Sequence, residues 1–175
     1  RAIENSEKLF VKINDIKVSG LPQEHNLKII KELNLIFFQN IFFINEENFR
    51  DVLKKNNLIE SFNVQKIYPN IIDIKVKKAK LLATINHEGN KYFIGSNGKF
   101  IDYNKVKNFN IKFPHVFGQI NPQDFINFKK KIDSSNLNFD DIESFYFFPS
   151  NRWDIKMKDG LLIKFPEKNL KQSLD

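Results

Sequence analysis

The sequence contains no cysteine among its 175 residues. That excludes a disulfide framework, a thiol nucleophile and a cysteine-ligated zinc site. Arginine is scarce, only three of the 28 basic residues, whereas bidentate readout of bases and phosphates depends on it. No long hydrophobic run is present. The longest apolar stretch, residues 35–44, is interrupted by Gln39 and Asn40, and it is well short of the roughly 20 residues a membrane-crossing helix needs. The chain opens on Arg1 rather than Met, so the expectation is a piece of a longer protein whose upstream signal or anchor is not included.

What is present is a strong bias. Lys (25), Asn (23), Ile (23) and Phe (19) together make 90 residues, about half the chain. All four have codons built wholly or mostly from A and T, which points to base composition before biochemistry. The formal net charge of +7 and the pI near 9.4 raise a nucleic-acid partner as a possibility to test. The charge is spread evenly, however. Residues 1–80 carry 14 basic and 10 acidic groups, and residues 81–175 carry 14 and 11. A basic tail or DNA-binding stripe would be asymmetric. A hydrophobic content of 41% is enough to fill a core, which argues against disorder.

The first half reads strand, helix, helix, strand, strand. Leu9, Val11 and Ile13 alternate with polar residues, and Ile16 and Val18 resume after Asn14-Asp15, a phase break that predicts a bulge or two short strands. Leu27, Ile30 and Leu33 lie at helical spacing within residues 23–33. Asn45 is placed to cap a second helix with Glu46 and Glu47 in its first turn, Phe49, Val52 and Leu53 as its apolar stripe, and a left-handed cap at Asn56-Asn57. Strands follow at 61–68 and at Ile72, Ile74 and Val76, with a turn at Pro69-Asn70 between them.

The second half is mainly β. Strands are predicted at 81–85, 92–94, 100–101, 142–148, 153–157 and 161–165, with hairpin signals at Gly89-Asn90, Asn97-Gly98 and Asp159-Gly160. Asn121-Pro122 opens one helix with Phe125, Phe128 and Ile132 inward. The junction between halves falls near Lys78-Ala79-Lys80.

No catalytic constellation emerges. His25, His87 and His115 are far apart without metal-ligand spacing and read as surface or turn residues. Asp140, Asp141 and Glu143 lack the further oxygen ligands of a calcium loop. Gly95, Gly98 and Gly118 do not build a phosphate cradle. The lysine clusters, Lys75/Lys77/Lys78/Lys80 and Lys129/Lys130/Lys131, read as solvated faces, and most aromatic residues fall on the apolar parity of their element rather than on a stacking platform.

Several short motifs nevertheless follow one another in a recognisable order. They are Ile16-Lys17-Val18-Ser19-Gly20, Asn40-Ile41-Phe42, Val64-Gln65-Lys66-Ile67-Tyr68-Pro69 with the alternating Ile72-Asp73-Ile74-Lys75-Val76, then Phe113-Pro114-His115-Val116-Phe117-Gly118, and Arg152-Trp153 before Asp159-Gly160. Through them the first half resembles a POTRA domain, and the whole resembles the extracytoplasmic region of the FtsQ/DivIB family of bacterial cell division proteins. The resemblance implies an α+β fold with a POTRA domain (β-α-α-β-β) over 9–79. A mainly antiparallel β domain with one or two helices would occupy 80–175, incomplete at its C-terminal end. The usual family Glu and Pro after the alternating strand are here Lys78 and Leu81, with Ala83 kept.

What the resemblance implies for function is a non-enzymatic scaffold without cofactor or metal, held in the inner membrane by one upstream helix and facing the periplasm at the division septum. Its partners would be FtsB and FtsL, with the septal wall synthase reached indirectly, and the docking edge for FtsB would follow Asp175. Within the POTRA domain the resemblance points to Val64 and Lys66, with Gln65 and Tyr68 beside them, as partner-binding residues. The plainer reading packs Val64 in the core and leaves Lys66 solvated. Two other functions stay open at this point, a POTRA module of an outer-membrane translocation protein and a basic nucleic-acid-binding protein.

Overall fold

The structure, a computed structural model, describes residues 10–106 and 111–165. The fold is α+β, and the chain divides into two compact units, residues 1–78 and 79–175, each holding its own sheet.

The first unit runs β1 (Asp15–Ser19), α1 (Gln23–Glu32), a 3-10 helix (Asn34–Phe38), α2 (Glu47–Lys55), β2 (Ile59–Ile67) and β3 (Ile71–Lys78). This is the expected β-α-α-β-β order. Its sheet has the order β1-β3-β2, with β1 parallel and β2 antiparallel to the central β3. Parallel strands cannot be joined by a tight turn; the helices carry the chain from β1 to the opposite edge strand β2, which turns back into β3 beside β1. Register aligns the apolar rows: Ile16 lies opposite Ile72, and Val18 opposite Ile74. Ile72, Ile74 and Val76 are buried on one face of β3, and Lys75 and Lys77 are exposed on the other. Gly20 shows why the opening motif ends in glycine. Its φ is +107°, and a Cβ there would run into the backbone carbonyl of Val76.

Three local expectations need correction. Residues 10–13 form no strand, only an isolated bridge from Lys12 to Asn40, and Leu9 lies outside the described residues. The buried face of α1 is Ile29 with Leu33 rather than Leu27, Ile30 and Leu33, and Leu27 is exposed. The helix is rotated to that face with Asn26 tied to Leu21, its Nδ2 donating to the carbonyl oxygen at 2.8 Å. At the end of α2, Asn56 is extended (φ −85°, ψ 108°) rather than left-handed, because its Oδ1 accepts from the Leu58 amide at 3.0 Å and leads the chain straight into β2. The other end of α2 is capped as expected, with Asn45 Oδ1 accepting from the Glu47 amide at 3.0 Å, while Phe49 and Leu53 are fully buried.

The second unit runs β4 (Leu81–His87), β5 (Asn90–Gly95), β6 (Phe100–Asp102), β7 (His115–Phe117), α3 (Pro122–Asp133), β8 (Ile142–Phe147), β9 (Trp153–Met157) and β10 (Leu162–Phe165). The sheet order is β10-β9-β8-β7-β4-β5-β6. Hairpins supply the antiparallel pairs. The short β7 inserts parallel to both β4 and β8, a strand whose three residues are too few for alternation to signal. Gly118 ends it at φ +114°, where a Cβ would meet the Phe147 carbonyl.

Asn121 caps α3 through its Oδ1, which accepts from the Gln123 amide at 3.0 Å. The helix then lays Phe125, Phe128 and Ile132 on the sheet. Phe128 stacks on Trp153 at 4.6 Å with the rings 5° apart, and Phe125 meets Phe145 edge to face at 5.1 Å. Arg152, next to that tryptophan, binds the buried Asp154 through two contacts of 3.1 and 3.3 Å and lies 4.3 Å from the Phe148 ring centre. The Arg-Trp motif thus joins a core ring to the counterion of a buried carboxylate.

Candidate protein-docking site

β2 is the site's frame. It pairs with β3 alone among the described strands, so its other side is a free sheet edge. Alternation divides its side chains between two faces. Val64 lies opposite Ile74 and Lys66 opposite Ile72, both on the core-facing row, whereas Gln65 lies opposite Asp73 on the wet face. Val64 and Lys66 are both half-buried and Gln65 is exposed. Neither extreme for Val64 holds, because an edge strand covers its inward residues from one side only.

Lys66 is not plain solvated surface. Its Nζ donates to the backbone carbonyl of Phe42 at 3.4 Å. Tyr68, just beyond the strand, is exposed and stacks on the Phe42 ring at 5.5 Å. Phe42 therefore gathers Lys66 and Tyr68 into one feature at the end of β2, and it was absent from the residues singled out from sequence. The signal that could have found it was the Asn40-Ile41-Phe42 motif. Asn40 is buried, and its Oδ1 accepts from the amides of Val11 and Phe42 at 3.3 and 3.2 Å. A buried amide of this kind fixes the turn that presents Phe42. The arrangement offers backbone hydrogen-bonding groups, a lysine and two rings. Free strand edges of this kind are of the type to which an extended chain adds as a further strand.

The other candidate residues are dispersed. The histidines are half-buried within secondary structure rather than in turns or on the surface. His25 lies on α1, 3.8 Å from Glu24. His87 packs on Phe100 at 4.8 Å. His115 lies on β7 beside β4, with Nδ1 2.9 Å from Thr84 Oγ1, and burial, together with the nearby Lys91 charge, lowers its pKa.

Glu143 is bound to Lys156 at 2.9 Å. That hydrogen bond and charge lower the glutamate's pKa and raise the lysine's. Asp140 and Asp141 form a 3-10 turn before β8. Among the described residues, no three His, Asp or Glu are grouped to hold a metal ion. Lys129 departs from the solvated reading, since it binds Asp133 at 2.7 Å and covers the Phe139 ring at 4.5 Å.

Comparison with known proteins gives a consistent set of relatives. Residues 11–78 match the family described as "POTRA domain, FtsQ-type", and residues 83–175 match "Cell division protein FtsQ/DivIB, C-terminal". The chain is 22% identical over 162 residues to the cell division protein FtsQ of Rhizobium meliloti, covering 93% of this chain and 52% of that one. It is 25% identical to that of Rickettsia bellii over 174 residues, with 98% and 63% covered. It is 28% identical over 96 residues to the cell division protein DivIB of Clostridium acetobutylicum, with 55% and 39% covered. The chain thus spans about half to under two thirds of the length of the FtsQ relatives it matches. The solved major extracytoplasmic domain of DivIB from Geobacillus stearothermophilus aligns with a TM-score of 0.39 at 12% identity, over 56% of this chain and 87% of that one.

Proposed function

The chain belongs to the FtsQ/DivIB family of bacterial cell division proteins, and on that premise we propose that it is a non-enzymatic scaffold of the division machinery. It acts outside the cytoplasm, held at the inner membrane by an anchor helix preceding Arg1. The observation that carries this reading is the free edge of β2, with half-buried Val64 and Lys66 on one face, Gln65 on the other and Tyr68 at the end. A partner strand added to this edge gains affinity from backbone hydrogen bonds, and the alternate side chains select it. This edge recruits the protein to the septum.

The second sheet supports a separate role. Among the described strands β10 stands at the end of its sheet with β9 as its neighbour, and Leu161 just before it and Leu162 at its start are exposed. The FtsB–FtsL pair docks at that end, and control of the septal wall synthase passes through that pair.

The test is septal localisation of the full-length protein as a fluorescent fusion. Val64→Arg with Lys66→Glu should abolish the septal band while leaving the thermal melt of the purified chain within a few degrees. A normal band in that variant sinks the recruitment role of β2.

A further inference from the structure

The first unit carries a second surface feature that shares only Phe42 with the β2 edge. Leu35, Phe38, Phe42 and Phe43 are 72%, 69%, 44% and 72% exposed. Leu35 and Phe38 are three residues apart in a 3-10 helix, so they eclipse on one side while Ile36 turns into the core. With aromatic side chains of roughly 150–250 Å² each, these four present on the order of 400 Å² of apolar surface. That is the size at which a patch marks an interaction site.

The segment that presents these side chains is tied down by backbone hydrogen bonds. Phe43 donates its amide to the Asn40 carbonyl at 3.0 Å, Gln39 to Ile36 at 3.0 Å, and Ile41 to Val11 at 3.0 Å. Val11 lies beside Phe10, itself exposed. Lys12 follows and places its Nζ 5.1 Å from the centre of the Phe38 ring. Residues 10–14 and 34–43 contain no acidic side chain.

From this combination we propose that the patch is a membrane-interface contact that seats Leu35, Phe38, Phe42 and Phe43 at the headgroup boundary of an anionic bilayer, with Lys12 against the lipid phosphates. The composition decides for a bilayer over a protein partner. Interfacial contacts combine exposed Phe and Leu with lysine, and anionic headgroups reward each nearby lysine. Protein hot spots instead favour arginine, tyrosine and tryptophan in enclosed pockets. A segment free of acidic residues and already fixed by backbone hydrogen bonds loses little freedom on inserting. Of these residues only Phe42 is shared with the β2 surface; Leu35, Phe38, Phe43 and Lys12 are not part of it.

The experiment is flotation of the 175-residue chain with phosphatidylglycerol–phosphatidylethanolamine vesicles and, separately, with phosphatidylcholine vesicles. The chain should float with the anionic vesicles. Phe38→Ser with Phe43→Ser should weaken partitioning at least about tenfold, and Lys12→Gln about fivefold on anionic vesicles only. Both changed phenylalanines are exposed, so the melt should stay near that of the parent chain. In a Phe43→Trp variant, brominated lipid should quench the new tryptophan and spare Trp153, which is 5% exposed.

Absence of flotation overturns the proposal. So does equal flotation of parent and serine variant, which would assign binding to the general +7 charge. A concentration-dependent dimer lost in the serine variant would assign the patch to a second copy, and vesicle-independent capture of a division protein through the patch would assign it to a protein partner. Either result refutes the membrane contact.

Discussion

Replacing Arg152 by Met should destabilise the second unit by about 2–3 kcal/mol. Asp154 is 4% exposed and is bound by both Arg152 contacts. Removing one partner of a fully buried ion pair costs about 3–5 kcal/mol, because the remaining charge is left uncompensated. Here the Arg152 side chain is 40% exposed, so water already solvates part of the guanidinium and can reach toward the carboxylate, which lowers the cost. The lost contact with Phe148, 4.3 Å from the guanidinium, adds back about 0.5–1 kcal/mol. Trp153, the sole tryptophan, is the next residue and reports unfolding by its fluorescence. In urea titrations the midpoint should fall with an unchanged slope. The double change Arg152→Met with Asp154→Leu should recover most of the loss, since no charge is then stranded. A midpoint for Arg152→Met within about 0.5 kcal/mol of the parent would show that the pair does not hold this corner.

Further outcomes follow from particular contacts. Gly20→Ala should cost at least about 2 kcal/mol by urea titration, through positive-φ strain plus the approach of the Val76 carbonyl; a neutral result would mean that β1 and β3 shift freely. The pKa of His115 is lowered by burial and by Lys91, so below its ordinary value of 6.5 the unfolded chain binds the proton more readily. Stability is full above that value and should decline as pH falls through the native pKa. Thermal melts of His115→Gln should show a flatter decline than the parent between neutral and mildly acidic pH, and parallel curves would contradict the assignment. Trp153→Ala should cost about 3–5 kcal/mol in a urea titration followed by circular dichroism, because the ring is stacked on Phe128 within the core; a smaller loss would mean that the site collapses around the gap.

Much of the fold was legible because period, caps and turns agreed. β3 alternates strictly, and its buried row is the row that alternation predicts. Asn45 and Asn121 cap the helices they precede. What sequence left obscure depends on contacts distant in the chain. β7 has only three residues and is defined by parallel neighbours, β4 and β8, far from it in sequence. The face of α1 could not be chosen between Leu27 and Ile29 by spacing, since both share a helical row with other apolar residues.

The geometry of the proposed docking surface was half legible. Val64, Gln65, Lys66 and Tyr68 could be named from a motif, but Phe42, more than twenty residues upstream, joins Lys66 and Tyr68 only through tertiary structure. The Lys, Asn, Ile and Phe bias with which the chain presents itself is sorted by that structure: Ile and many Phe fill cores, Asn caps helices and turns, and some of the lysines, such as Lys129, are packed and paired.

The claim that β2 is a recruitment edge is tested most directly by site-specific photocrosslinking in dividing cells. A photoreactive amino acid at Gln65, exposed on the free strand, should trap a division protein, and the crosslink should vanish when Val64→Arg and Lys66→Glu are added. A full-length protein that supports division yet gives no crosslink from position 65, while crosslinking elsewhere on its surface, would contradict it.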